Sequence, residues 1–318
     1  KVDGDGNNIF IEHIINNKSK LILADNTNVT NATATIAFAD GLDTGVGEDD
    51  YKLGWDIFAP ADDIDVSILI AGGVTAEPAA VAYAVQKYIV ETVAEVRKDC
   101  MAVCSPASED VVNVGGASTA VANVIAARIA SSFNVASSYG TMDASYKYTY
   151  DKYNDTYRWI GFSGDVAGLM AYTDSARDAW WSPAGLNRGK IKGVVKLAYN
   201  PTLAHRDQLY KLPNGINPIV SFPGQGTVLW GDRTLLTQPS AFDRINVRRL
   251  FIILEKAIAI SAKYFLFEFN NVYTRRNFVN MVNPYLAGIK AKQGMYDFHV
   301  QCDETNNTAA VIDRNEFV

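Results

Sequence analysis

The chain has 318 residues, 48% of them hydrophobic and 20% charged, with a formal net charge of −6. Those proportions are ordinary for globular protein, and the length admits two domains with part of a third. No apolar run approaches the roughly 20 residues that a membrane helix needs, so membrane insertion is not expected. The acidic balance speaks against nucleic acid as a partner.

Three cysteines, Cys100, Cys104 and Cys302, cannot make a disulfide framework. On a strand, Cys100 and Cys104 would stand roughly 13 Å apart, too far for one bridge or one metal. Buried free thiols in a reducing compartment are expected. The first residue is Lys1 and no basic, then apolar, leader precedes the first domain, so the chain is expected to be a fragment or a processed product, and not secreted.

Charge is unevenly distributed. Residues 1–189 hold 13 basic and 25 acidic side chains, whereas residues 190–318 hold 16 and 10. An acidic partner for the C-terminal part would explain this, and so would two solvated surfaces of accidental sign.

In chain order, residues 1–35 read as a strand, a short helix and an Asn/Thr-rich loop. A Gly/Asp loop follows at Phe38–Asp50. Asp65–Ile70 is a predicted strand, and Glu77–Arg97 a helix with Pro78 in its first turn. Its predicted inward face is Val81, Ala84, Val85, Tyr88, Ile89 and Val96. Cys100–Cys104 is the next strand, and Ala117–Phe133 a helix facing inward through Val121, Val124, Ile125 and Ile129. Strand, helix, strand, helix predicts a parallel sheet covered by helices. Ser137–Ile160 carries six tyrosines, which suit a contact dry on one side or a strand pair over the core.

Turn signals gather at Asn200–Asn217, and a second α/β unit is expected beyond them. It comprises a strand at Val228–Trp230, a helix at Asp243–Lys263, and a doubly buried strand at Tyr264–Phe269. A helix at Thr274–Lys292, interrupted at Pro284, and an alternating strand at Tyr296–Cys302 complete it. The expected fold is α/β, with two domains of central sheets flanked by helices and the tail end of a preceding domain. The expected boundaries are residues 1–36, 37–198 and 199–318.

Chemical motifs mostly fail. Asp3-Gly4-Asp5-Gly6-Asn7 starts like a calcium loop, but Asn8 and Ile14 stand where glycine and glutamate are needed. Ala71-Gly72-Gly73, the Gly161–Gly168 run and Gly224-Gln225-Gly226 miss the spacing of dinucleotide or phosphate loops. His13, His205 and His299 lie apart from one another and from other ligands. No catalytic residue, cofactor or metal is expected, and an internal ion-pair network or a protein partner explains Arg244, Arg248 and Arg249 better than nucleic acid does.

Four longer blocks carry more information: Tyr146–Ile160, SGDVAGLMAYTDSARDAWWSPAGLNRG at Ser163–Gly189, GQGTVLWGDRTLLTQPSAFDRINVRRLFIILEKAI at Gly224–Ile258, and Cys302–Val318. In this order they resemble the contractile tail sheath proteins of myovirus-type bacteriophages. The positions that carry the resemblance include Gly164, Asp165, Gly168, Asp174, Pro183, Gly185, Gly231, Arg233, Asp243, Arg244, Arg248 and Arg249.

The resemblance implies a structural subunit with no catalytic residues. Such subunits stack as hexameric rings around a tail tube and contract to drive it through the host envelope, and the assembly forms in the host cytoplasm. Implied partners are further copies of the chain, the tube protein, and baseplate and terminator proteins. The C-terminal domain would lie against the tube, where Lys256, Lys263, Arg275, Arg276, Lys290 and Lys292 are candidate tube-facing cations. The family's N-terminal arm and last strand, which link subunits, are not in this sequence, so the chain is expected to be monomeric at micromolar concentration. A sheath subunit of a bacterial contractile injection particle, or an α/β enzyme, are the alternatives.

Overall fold

The structure, a computed structural model, describes residues 46–130 and 132–318. The elements expected in residues 1–35, the Asp3–Asn7 turn and His13 lie outside the described residues. Residues 46–318 form one compact unit.

Helix α1 (Glu48–Asp56) turns Tyr51 and Trp55 toward the core. Strand β1 (Ile68–Ile70) runs through a 3₁₀ turn, Gly72–Ala76, into a long helix, α2. Its three parts are Ala79–Tyr88, a π-helical stretch Ile89–Ala94, and Glu95–Arg97. The π stretch widens the turn and shifts the buried stripe away from a simple 3.6-residue period. The inward face is therefore Ala82, Tyr83, Val85, Gln86, Ile89, Val90, Val93 and Ala94, while Val96, expected inside, is 68% exposed.

Strand β2 (Met101–Cys104) follows, then the single turn α3 (Ser108–Val111), helix α4 (Ala117–Ile129) and strand β3 (Gly140–Asp143). Strands β4 (Tyr146–Asp151) and β5 (Thr156–Gly161) make a hairpin that leads into α5 (Ser163–Ala176). Short strands β6 (Lys190–Ile191) and β7 (Lys196–Leu197) precede helix α6 (Leu203–Tyr210). Strands β8 (Ile216–Asn217), β9 (Ile219–Phe222) and β10 (Gly226–Leu229) come next. Helices α7 (Ile245–Ala262), α8 (Val272–Ala291) and α9 (Ala309–Asp313) end the chain.

The expected parallel sheet is present, in the order β1-β2-β3-β8, with every pairing parallel. Successive side chains of a strand point to opposite faces. All four residues of β2 and of β3 are buried, so both faces of the sheet are covered. Helix α5 packs against β1, β2 and β3, and the π stretch of α2 against β2. Cys100 and Cys104 are buried free thiols, and burial pushes Cys100 up to about 12.

Two small antiparallel sheets flank this body: β6-β10-β9 and β5-β4-β7. Position 199 was expected to divide two domains. Instead β8 pairs with β3, and β10 pairs with β6, so the sheets run across that position.

After residue 237 the chain is helical, not α/β. Tyr264–Phe269 forms a 3₁₀ turn at Lys263–Phe265 and then an exposed bend, with Phe267 at φ 70° and fully exposed. Tyr296–Cys302 carries no strand. Aromatic and β-branched content favours a strand only when a neighbouring strand supplies hydrogen bonds and a packing face. Among the described residues neither segment has one. Helix α8 also runs unbroken through Pro284. Val282, Leu286 and Ile289 bury with Leu250 and Leu254 of α7 in a second core, and this packing outweighs the one missing N–H.

Candidate assembly site

The arginines of the two long sequence blocks converge on the joint between the sheet body and α7. Just before α7, Arg233 and Arg244 pair as an antiparallel bridge, which places their side chains side by side. Arg233 holds Asp243, and Arg244 holds Asp232 at 2.8 Å. Tyr210 donates to Asp232 at 2.8 Å and lies under both guanidinium groups, 4.9 and 5.5 Å from its ring. Burial, with the Asp232 carboxylate beside it, pushes the Tyr210 phenol up to about 12. Within α7, Arg248 lies between the rings of Tyr139 and Phe242, at 4.3 and 4.0 Å. Its Nη1 donates to the Tyr139 hydroxyl at 3.2 Å, its Nε has no hydrogen-bond partner, and the two rings add to the stabilisation of the cation.

Arg249 makes the strongest link. Its two Nη atoms reach both oxygens of Asp174 on α5, at 2.8 and 2.5 Å. The fork-to-fork geometry fixes α7 against the helix that crosses the sheet. Asp165, in the first turn of α5, takes Lys147 of β4 at 2.7 Å.

The glycines of the blocks have two clear reasons. Gly185 sits at φ 90°, accepts from Gly189 N at 2.7 Å and donates to Leu229 O at 2.9 Å, so it turns the loop onto β10. At Gly231 a Cβ would come within 2.8 Å of Asn217 Oδ1 and 3.0 Å of the Tyr210 ring. Pro183 is buried. Gly164 and Gly168 have open space where a Cβ would stand, and nothing in the structure explains them.

Asn217, read in the sequence only as part of a turn, pairs like a backbone unit. It accepts from Arg233 N at 2.7 Å and donates to Arg233 O at 2.8 Å and to Thr141 Oγ1 at 2.8 Å. Arg128 is a second residue missed, because it looks like an exposed helix end. It is buried and donates to the carbonyls of Asn214 and Leu235 at 3.0 and 2.7 Å, and burial lowers it to about 10.

The candidate tube-facing cations do not form one open surface. Arg275 is buried and donates to Asn270 at 2.9 Å, because the first turn of α8 folds under the chain's last residues. Lys256 holds Asp65 and lies 3.8 Å from Asp99, and Lys263 lies 3.4 Å from Asp62. Lys292 pairs with Asp178 at 3.2 Å, and Lys290 with Asp297 at 2.9 Å. Arg276 is exposed. Asp62, Asp65, Asp174 and Asp178 all precede residue 189, and the cations they hold all follow residue 190; Asp99 is shared between Arg97 and Lys256. The charge asymmetry of the sequence is thus partly answered inside the molecule.

A buried polar cluster lies at the ends of β2 and β3. Ser105 Oγ donates to Asp143 and accepts from Ser163 N at 2.9 Å, and Ser145 N donates to Asp143 at 3.3 Å. Burial pushes the Asp143 carboxyl up to about 8. Ser105, Asp143 and Ser163 are all buried, so no substrate reaches them in this conformation. No group of three or more His, Cys, Asp or Glu suited to a metal occurs among the described residues.

Residues 44–235 match the phage tail sheath protein central domain, and residues 237–318 match the phage tail sheath C-terminal domain. The chain belongs to the phage tail sheath protein family. It is 46% identical over 327 residues to the tail sheath protein of Vibrio phage KVP40, covering 99% of this chain and 48% of the relative. The tail sheath protein of Enterobacteria phage T4 is 46% identical over 275 residues, covering 85% of this chain and 41% of its own length. This sheath-family chain therefore spans about half the length of the curated relatives it matches.

Solved structures agree on the fold. The sheath of an extracellular contractile injection system, PVC, in its contracted state superposes with a TM-score of 0.62 at 23% identity, covering 80% of this chain and 66% of that one. The helical sheath of the anti-feeding prophage, contracted, gives 0.62 at 19% identity, covering 85% and 68%. The two sheath domains meet between residues 235 and 237, at the joint that Arg233, Arg244 and Arg249 hold.

Proposed function

We propose that this chain is the central and C-terminal part of a contractile phage tail sheath subunit. In the whole protein it stacks as helical rings around the tail tube and shortens to drive the tube through the host envelope. It is a structural component of the virion tail, assembled in the host cytoplasm, with further copies, the tube, the baseplate and the terminator as partners. The observation that carries this reading is the match of both sheath domains, end to end, with 46% identity to a phage tail sheath protein. Identity to the phage proteins is about twice that to the injection-system sheaths, which supports the phage reading over its alternative.

The mechanics fit the joint. Contraction needs domains that stay rigid while their contacts exchange. Arg249–Asp174 and the Arg233/Arg244 cluster keep the sheet body and α7 together through such a change. The tube-facing surface we propose narrows to Lys263, Arg276, Lys290 and Lys292, since Arg275 is buried and Lys256 is partly buried between Asp65 and Asp99.

Electron microscopy of the full-length protein tests the reading. Striated hollow tubes are expected, and persistent monomers under conditions that polymerise related sheaths would overturn it. Reversing Arg276 and Lys292 to Glu should weaken assembly on tubes while the circular dichroism stays unchanged. Unaltered assembly at both low and high salt would move the tube-facing surface elsewhere.

A further inference from the structure

Two surface features of this chain complement each other. The first is a cleft of about 770 Å³ between the loop after α5 and the two C-terminal helices. Trp180 and Trp181 form its apolar wall, and Arg188 and Lys290 are the charged residues that line it. Arg188 donates its Nε to the Ser182 carbonyl at 2.8 Å and stacks on Trp181 at 5.2 Å, and among the described residues its guanidinium pairs with no carboxylate. Arg177 is exposed and approaches the same ring at 5.8 Å, also without an acidic partner among the described residues. Lys290 holds Asp297, which leaves the cleft with net positive charge.

The second feature is α1. Its first turn carries Glu48, Asp49 and Asp50, against a single Lys52 that holds Glu48. Leu53 and Ile57, one turn apart on one face, are 67% and 64% exposed. The opposite face is anchored in the core by Tyr51 and Trp55, and Asp56 accepts from Tyr88 of α2. The helix is therefore presented on the surface in a fixed orientation. Acids beside two exposed aliphatic side chains match cations beside two tryptophans.

We propose that α1 of one copy docks in the Trp180–Trp181 cleft of a second copy, with Leu53 and Ile57 against the indoles and the first-turn acids toward Arg177 and Arg188. The contact joins two different patches, so it repeats head to tail and generates an open array. The cleft walls come from both sheath domains, and an occupant would also brace one against the other. This rests on the reading of the chain as a self-assembling subunit and deepens it by naming a contact between copies.

Sedimentation velocity of the 318-residue chain tests it, from micromolar concentration to several hundred micromolar at low salt. The parent should be monomeric at the dilute end and form growing oligomers at the concentrated end, at least about tenfold weaker when salt is raised through the screening range. A Leu53→Asp/Ile57→Asp variant and an Arg177→Glu/Arg188→Glu variant should each lose this association. Mixed together they should form a one-to-one dimer that grows no further, because one supplies an intact helix and the other an intact cleft. Arg177→Glu alone, at an exposed side chain without a hydrogen bond, guards against misfolding through the Ser182 contact. A parent that stays monomeric throughout, folded variants that associate like the parent, or a mixture that fails to pair would each overturn the proposal. So would loss, in the cleft variant, of binding to an unrelated acidic peptide while self-association persists. Tube formation by the full-length protein would still stand in each case, so the two readings fail separately.

Discussion

The sheet body and the helical layer after residue 237 are stabilised by different means. In the body, parallel hydrogen-bond ladders run through strands whose residues are buried on both faces. The layer's own core has five buried residues, Leu250, Leu254, Val282, Leu286 and Ile289, each 4–9% exposed. Clefts of about 360 and 450 Å³ line its seam with the body, beside the ion pairs of Lys256, Lys263 and Lys292. A region held by few apolar contacts and exposed charges opens more readily than one built on buried strands. The layer is therefore expected to open before the body does.

Core truncations should separate the two most widely. Phe162 is fully buried in the body, and Phe162→Ala should cost about 3–5 kcal/mol in urea unfolding. Leu286→Ala in the layer should cost about 2–3 kcal/mol and release α8 amides to hydrogen exchange before those of β2 and β3. Simultaneous exchange of both regions in the Leu286 variant would mean that they unfold as one unit.

The buried carboxyl of Asp143 gives the body a pH signature. Its folded pKa lies near 8, above the ordinary carboxylate value, so the folded state binds the extra proton between about pH 4 and 8. Stability then falls as pH rises through that window, by roughly 1 kcal/mol per unit, and levels above it. Asp143→Asn should flatten this slope in thermal melts from pH 5 to 9. An identical slope in the variant would assign the pH dependence to other groups.

Next in size is the tie between the regions. Asp174→Ala leaves the Arg249 guanidinium buried without its partner, which should cost about 2 kcal/mol, moderated because Asp174 is partly exposed. Asp174→Asn should recover part of the loss, since one acceptor oxygen remains. Exchange should rise first in α7, where the cation is stranded.

Much of the body was legible in the sequence, because a buried parallel sheet writes local signals: short apolar strands, helical periodicity and turn residues at their ends. The π stretch in α2 left no such signal, so the predicted stripe drifted and Val96 was placed inside. The helical layer was less legible for a physical reason. Tyr264–Phe269 and Tyr296–Cys302 have strand composition, but whether strand composition becomes a strand depends on a partner, which a local pattern does not encode. The arginines stood out in the blocks, yet their acids lie up to 75 residues away in sequence, as with Arg249 and Asp174. Asn217 was hidden more deeply, because its amide acts through backbone pairing that any turn-forming asparagine could have made.

The smallest expected effect probes the seam directly. Lys263 and Asp62 form an exposed pair at 3.4 Å, and Lys292 and Asp178 a half-exposed one at 3.2 Å. Pairs of this kind contribute about 0–1 kcal/mol each, because water screens the attraction and ordering long side chains costs entropy. Lys263→Ala and Lys292→Ala should therefore leave the global melting curve nearly unchanged. The local consequence should be larger than the global one, since these pairs cross the seam beside its clefts. Raising NaCl from about 50 to 500 mM cuts the Debye length from roughly 14 to 4 Å. Amides of α8 should then exchange faster, while those of β2 and β3 hold their protection. The double variant should show the fast α8 exchange already at low salt and gain little more on adding it. If salt accelerates α8 equally in the parent and the double variant, the two lysine pairs do not hold the seam, and the contacts of α7 with the body, Ile245 and Ile252 in its core and the Arg249–Asp174 pair, carry it.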